Sequence, residues 1–172
     1  MEKNMSLLQE TALFMNLSPR EIGKVLDIAR EVKFAEDDVV MKEGDFGDTL
    51  YIIRKGTVEV VKCLTMEGMG DNDDTDMEKN KVFTRLDESQ HAVFGEIALL
   101  EETKRTATIR AVTDCICYEI RKDDFLRLAE EDNQLGYRIL LNLARIVSAR
   151  LRKADEDTIK LTTALSIILK ES

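Results

Sequence analysis

The sequence predicts a mixed, mainly β fold: an antiparallel β-roll, a jelly-roll-like barrel, with N-terminal helices and a long C-terminal helix. Three observations lead there. Short runs of β-branched, aliphatic and aromatic residues recur between glycine turns from Val39 to Ile120, the spacing of a sandwich or barrel. Ahead of them, Ser18-Pro19-Arg20-Glu21 has the residues of a capping box with proline at the first helical position. Behind them, neither proline nor glycine occurs after Gly136, so a last helix starting near Asp132 or Asn133 has nothing to stop it.

In chain order, Leu7, Leu8, Leu13 and Phe14 lie near helical spacing and predict a first helical segment. Ser18 caps the next helix, and Ile22, Val25, Leu26 and Ile28-Ala29 form its apolar stripe. From Val32 the period shortens. Val39-Val40-Met41 reads as a strand, Glu43-Gly44-Asp45-Phe46-Gly47-Asp48 as a turn, and Leu50-Tyr51-Ile52-Ile53 as a strand. Lys55-Gly56 is a tight turn before Val58-Glu59-Val60-Val61. Val82-Phe83, the segment from Ala107 to Val112, and the segment from Cys115 to Ile120 complete the strands. Residues 65–81 break the pattern. Their acidic run, Asp71-Asn72-Asp73-Asp74-Thr75-Asp76, lacks the sixth-position glycine of an EF-hand loop and reads as a solvated connection rather than a metal site. Asp123 is expected to cap a short helix through Phe125, Leu126 and Leu128.

The long helix carries Tyr137, Leu140, Ala144, Val147, Leu151, Ala154, Thr158, Leu161, Leu165 and Ile168 at alternating steps of three and four, all apolar but Thr158. That is a coiled-coil seam, and it predicts a homodimer through the C-terminal helix. A second stripe, Ile139, Leu143 and Ile146, is suited to packing the same helix on the roll. The chain therefore divides into a roll with flanking helices, 1–131, and a dimerisation helix, 132–172.

Composition bounds the function. The chain has 172 residues, 44% hydrophobic and 34% charged, with a formal net charge of −9. This balance suits one domain with a real core and speaks against coating nucleic acid or an anionic membrane. Three cysteines, Cys63, Cys115 and Cys117, make no disulfide framework and point to a reducing cytoplasm. Nothing reads as a signal peptide, and no stretch approaches the ~20 apolar residues of a membrane span.

The chemistry concentrates after Val93. A strand ends, Gly95 follows, and Glu96 opens a short apolar helix, Ile97-Ala98-Leu99-Leu100. Gly95 and Ala98 allow close backbone approach, and free N–H groups at the helix start favour an anion. Nine residues after Glu96 comes Arg105, with Lys104 beside it. A guanidinium matches phosphate oxygens in a bidentate pair. A carboxylate in an anion pocket makes sense when the ligand bears a hydroxyl beside its phosphate, because carboxylates accept strongly from ribose hydroxyls. Glycine, helix start, Glu96 and Arg105 together specify a phosphorylated ribose. The bland alternative makes Glu96 a first-turn acid and Arg105 its surface ion-pair partner.

Phe94-Gly95-Glu96-Ile97-Ala98-Leu99-Leu100 with Arg105-Thr106-Ala107-Thr108 resembles the phosphate-binding cassette of the cyclic-nucleotide-binding domain family. Gly44-Asp45-Phe46-Gly47-Asp48, Leu50-Tyr51-Ile52-Ile53 and Gly56-Thr57-Val58 are similar to the family's early strands, and Ala12-Leu13-Phe14 to its entry helix. The resemblance implies a non-enzymatic sensor with cyclic AMP or cyclic GMP as its ligand. Glu96 would hold the ribose 2′-hydroxyl. Arg105 would take the exocyclic phosphate oxygens, with backbone N–H groups near Ile97, Ala98 and Ala107, while Gly95 admits the ligand. Thr106 stands where a threonine is associated with guanine in cyclic-GMP-responsive members. Transcription-factor members contact adenine with two polar residues of the long helix. Counted without gaps from Arg105, those positions fall on Arg150 and Leu151, so the polar pair is not kept and Arg150 is expected as a lid over the purine or as a solvated arginine. Those members continue into a DNA-binding helix-turn-helix. This sequence ends at Lys170-Glu171-Ser172, so the output is expected to pass to a separate protein effector.

Two other classes compete. A structural or interaction protein would keep the fold and use the seam and acidic loop as its surfaces. An enzyme would have to centre on His91, the only histidine, and nothing around it marks a nucleophile–base pair. No phosphate loop ending in Gly-Lys-Ser or Gly-Lys-Thr occurs either. Cys115 and Cys117 share one strand face and read as packing rather than as a metal or redox pair.

Overall fold

The structure, a computed structural model, describes residues 8–64, 79–90, 92–101 and 103–170. Residues 65–78, which hold the acidic run, and His91 lie outside them. Eight strands form two four-stranded antiparallel sheets: β1 (Arg30–Phe34), β8 (Cys115–Arg121), β3 (Thr49–Lys55) and β6 (Val93–Phe94) in one, and β2 (Val39–Met41), β7 (Thr108–Ala111), β4 (Thr57–Leu64) and β5 (Lys79–Asp87) in the other.

Strand alternation builds two cores from one sheet. On β3, Tyr51 and Ile53 point between the sheets, where they meet Val58, Phe94, Ile109, Cys115 and Cys117. Leu50 and Ile52, one residue out of phase, face the helices with Val93 and Ile120. Both faces of β3 are therefore buried, which is why Leu50-Tyr51-Ile52-Ile53 is apolar without interruption.

Four helices cover the second core: α1 (Pro19–Asp27), α2 (Ile97–Leu100), α3 (Lys122–Glu131) and α4 (Asn133–Lys170). The capping box of α1 is complete: the Glu21 N–H donates to Ser18 Oγ, and the Glu21 carboxylate accepts from the Ser18 N–H at 2.8 Å. That backbone bond and the Ser18 hydroxyl hold the Glu21 carboxyl below its usual range.

One expectation is sharpened and another corrected. The first helical segment is, around Leu13, a single 3₁₀ turn, Ala12–Phe14. It breaks off at Asn16, whose φ of 63° turns the chain towards Ser18. Asp123 does not cap α3: the cap residue is Arg121, without a side-chain cap bond, and Asp123 lies in the first turn. Strand β8 runs straight into the helix there, and the Lys122 N–H finds the Asp48 carbonyl at 2.7 Å. A cap side chain is then not required for that donor.

Helix α4 leaves the roll partway along its length. Leu135, Ile139 and Leu143 are buried against the roll with Ile146 packed beside them, as the second stripe predicts. Asn142, 2% exposed, donates to the carbonyls of Leu13 and Met15, both at 2.9 Å. These bonds tie the helix to the 3₁₀ turn and satisfy two carbonyls that would otherwise be costly to bury. Asp132 caps the helix start by accepting from the Leu135 N–H at 3.1 Å and from Lys24 at 2.6 Å. From Leu151 to Lys170 every residue is exposed.

Burial pushes the thiol of Cys117 up to about 12, and burial raises Cys115 as well. Both therefore stay protonated and unreactive at neutral pH. At pH 8 a thiol reagent is expected to leave Cys115 and Cys117 unmodified in the folded protein and to label them only in denaturant, as peptide mapping reads. Labelling of either in folded protein at the rate of a free cysteine contradicts this packing.

Candidate functional site

The segment from Gly95 to Ala107 crosses from β6 to β7 and holds two ionic side chains that are almost wholly buried. Glu96 is 5% exposed and Arg105 8%. Strand β6 pairs with β3, Phe94 opposite Tyr51, and the two rings stack at 5.1 Å with Phe34 edge-on to Tyr51. This aromatic group makes a firm floor beneath the segment. Gly95 then turns the chain with φ 75°, a conformation glycine adopts freely. A Cβ there would stand 2.7 Å from the Thr49 carbonyl oxygen and 2.9 Å from Arg105 Nη1.

The backbone of Arg105 is set by the turn before β3. Its N–H donates to the Asp45 carbonyl at 2.7 Å, and its carbonyl accepts from the Gly44 N–H at 2.9 Å. The guanidinium crosses to Thr49, with Nη1 on the carbonyl at 2.9 Å and Nη2 on the hydroxyl at 2.7 Å. A longer contact of 3.4 Å reaches the Gly95 carbonyl. Gly47 makes room for this placement, since a Cβ on it would lie 2.2 Å from Arg105 Nε. Burial draws the Arg105 pKa down, while Tyr51, Asp48 and Glu96 favour its charge. Tyr51 moves up, chiefly by burial, and donates its hydroxyl to Glu119 at 2.9 Å. A cleft of about 400 Å³ opens between β2, the turn and the floor, and of the predicted site residues Arg105 alone lines it.

Glu96 sits one residue past Gly95 as the first residue of the helical turn into α2. Its carboxylate does not pair with Arg105, so the surface ion pair of the bland alternative does not form. It binds Arg150 of α4 instead, Nη1 to Oε1 at 2.5 Å, and the other Arg150 amine donates to the Val93 carbonyl. Arg150 is thus not a freely solvated side chain. It is a strut from the long helix to the segment.

The expected N–H groups at the start of α2 are partly used: the Ala98 N–H donates to the Gly95 carbonyl at 3.2 Å. Ala98 and Ala107 are buried, Ile97 is half-buried, and Thr106 is exposed. Thr49, Gly47 and Tyr51 are the residues the sequence reading did not single out as part of the site. Their sequence signal is only the second glycine of the 43–48 turn.

Comparison with known proteins identifies the family. The family model described as "Cyclic nucleotide-binding domain" matches residues 31–132. The chain belongs to the cyclic nucleotide-binding domain family, a regulatory rather than a catalytic domain. It is 36% identical over 123 residues to a cAMP-dependent protein kinase regulatory subunit of Blastocladiella emersonii, covering 72% of this chain and 27% of that protein. It is 31% identical over 128 residues to cGMP-dependent protein kinase isozyme 1 of Drosophila melanogaster, covering 74% of this chain and 15% of that one. Among solved structures it is similar to the catabolite activator protein of Thermus thermophilus, with a TM-score of 0.72, 25% identity, and coverage of 88% of this chain and 63% of that chain. The chain thus spans about a quarter or less of the two kinase relatives. No helix among the described residues is long and apolar enough to cross a membrane.

Gly95→Ala is expected to destabilise the fold by about 1–3 kcal/mol, the typical range for a side chain forced into this conformation, read by urea unfolding. Gly23→Ala, where a Cβ meets nothing within 4 Å, serves as the control. Equal midpoints for the two variants contradict the close packing at Gly95.

Proposed function

We propose that this chain is a non-enzymatic sensor that binds a cyclic nucleotide, cyclic AMP or cyclic GMP, at the segment from Gly95 to Ala107. The reading rests on one observation above the others: two opposite charges are buried on one short segment without pairing with each other. Buried charges are costly unless they are matched. Glu96 and Arg105 are each matched by a group from elsewhere, so each remains a separate recognition point. A cyclic phosphate is a stronger acceptor for Arg105 than the neutral Thr49 oxygens, and Lys104 adds charge nearby. A ribose 2′-hydroxyl donates to Glu96, whose carboxylate keeps a second oxygen beside the one Arg150 holds. Gly95, Ile97, Ala98 and Ala107 supply the close backbone, and Thr106, exposed beside Arg105, is assigned to the purine by the family resemblance.

Binding passes on through α4. The helix touches the segment through Arg150, and its far half presents the seam to a second copy of this chain, giving a homodimer that acts on a separate protein effector. A ligand biases such a helix only by the difference in its affinity for two arrangements. The kinase relatives named for cyclic AMP and cyclic GMP support the ligand class without choosing between the two.

Calorimetric titration with cyclic AMP and cyclic GMP tests the reading. Arg105→Ala is expected to weaken binding on the order of 100-fold, the loss of two charge-assisted bonds, and Arg105→Lys by less. Circular dichroism checks that each variant folds. Heat from neither nucleotide with the wild-type chain would leave only a structural or interaction protein that keeps the fold.

A further inference from the structure

The inner faces of three strands change character at one level of the roll. On β1, Val32 and Phe34 pack against the core between the sheets, and the next residue in phase is Arg30. On β8, Cys115 and Cys117 are followed in phase by Glu119 and Arg121. On β3, Ile53 and Tyr51 give way to Thr49. The register sets these residues side by side: Arg30 and Tyr51 both lie opposite Glu119, and Thr49 lies opposite Arg121. Strand alternation keeps them all on the inner face. At this end the roll therefore closes on charge instead of apolar side chains. The cleft of about 400 Å³ opens here, and the mouth of a barrel is a recurrent place for a small-molecule site.

The two walls of the cleft differ. One sheet supplies Arg30, Glu119 and Arg121. The other supplies Val40 and Met41 of β2, and Phe46, 78% exposed, extends that wall from the following turn. Four cations line the cleft, Arg30, Lys42, Arg105 and Arg121, against three carboxylates, Asp45, Asp48 and Glu119. The balance is positive in a chain whose net charge is −9, so the mouth attracts an anion locally. Two of the carboxylates are already engaged: Glu119 accepts from the Tyr51 hydroxyl at 2.9 Å, and Asp48 from Arg121 at 3.3 Å. Among the described residues the side chains of Arg30 and Lys42 make no ion pair or hydrogen bond. Arg30 stands across from Glu119 in the register without pairing with it. The Arg121–Asp48 pair is half exposed on both sides, and such a pair holds its arginine weakly.

We propose that the mouth between β1, β8 and β2 is a second ligand site, for a small phosphomonoester with an apolar body. Its phosphate lies between Arg30 and Arg121, whose guanidinium forks match phosphate oxygens, and Lys42 adds a point charge. The apolar body lies on Val40, Met41 and the ring of Phe46. Glu96 does not line this cleft, so the site is distinct from the segment that holds it. Arg105 closes the inner end with both Nη atoms on Thr49, and the phosphate is assigned to the two outer guanidinium groups. The assignment does not rest on the cyclic-nucleotide reading.

Titration of the full chain with inorganic phosphate and with phenyl phosphate, at constant ionic strength and followed by amide NMR shifts, tests the site. Saturable shifts are expected at Arg30, Lys42, Phe46 and Arg121, with phenyl phosphate the tighter ligand. Arg30→Gln and Arg121→Gln are each expected to weaken phenyl phosphate about tenfold, the scale of one charge-assisted bond. Phe46→Ala is expected to bring phenyl phosphate down to the level of inorganic phosphate. Lys33→Gln, which removes a charge from the opposite face of β1, is expected to bind as wild type. Retained dispersion of the core amides shows that each variant folds. The absence of saturable shifts overturns the proposal, as do shifts confined to Gly95, Glu96, Ile97 and Ala98. Equal binding of the two phosphates overturns it as well, and so does an affinity that Arg30→Gln and Arg121→Gln leave unchanged or that Lys33→Gln lowers equally. If phenyl phosphate binding follows Arg30 and Arg121 while neither cyclic nucleotide binds, the mouth site stands and the cyclic-nucleotide reading fails.

Discussion

The site is organised around the burial of one guanidinium. Arg105 lies in the roll with its fork on Thr49, and that placement constrains everything near it. Gly47 has no side chain because the guanidinium occupies the space a Cβ would need. Gly95 adopts its turn because the Thr49 carbonyl and Arg105 leave no room for more. The turn at residues 43–48 pairs with the Arg105 backbone through Gly44 and Asp45, which fixes the direction in which the side chain enters. A buried cation of this kind is tolerable because carbonyl, hydroxyl and the nearby Asp48 compensate its lost hydration. In the proposed function the same arrangement holds that positive charge for an anion, which takes over from the Thr49 oxygens.

The second ionic group gives the segment its reach. Glu96 is a neighbour in sequence to the glycine that positions Arg105, yet its partner comes from α4. A change at Glu96 is therefore felt by a helix that is anchored to the roll as far as Asn142 and Leu143 and exposed throughout beyond Arg150. The anchored half fixes the helix direction, and the exposed half displays whatever arrangement results. In the proposed function, recognition and output are separated along one helix, with Arg150 at the junction.

Much of this was legible in the sequence where the physics is local. The capping box at Ser18, the turns at Gly44 and Gly56, and the apolar run of β3 each depend on neighbours a few residues apart. So does the pairing of Gly95 with Glu96. The partners of Arg105 were not legible, because Thr49 and Gly47 lie more than fifty residues away and only the register of β3 against β6 brings them there. Arg150 was reached by counting from Arg105, but its role depends on the rotation of α4 about its own axis, which spacing alone does not fix. Strand β1 was invisible as a run because Arg30, Glu31 and Lys33 outnumber its apolar residues. Strand β5 showed only as Val82-Phe83, being a polar edge strand of its sheet. Asp123 misled as a cap because strand β8 passes into α3 without the loop that a capping side chain normally closes.

The central claim is that Arg105 and Glu96 divide a cyclic nucleotide between phosphate and ribose. A crystal structure of the full chain grown with cyclic AMP or cyclic GMP measures this directly. The account predicts phosphate oxygens within hydrogen-bond distance of Arg105 and the 2′-hydroxyl on Glu96. A nucleotide bound elsewhere in the molecule, or bound at Arg105 with its ribose away from Glu96, would contradict it.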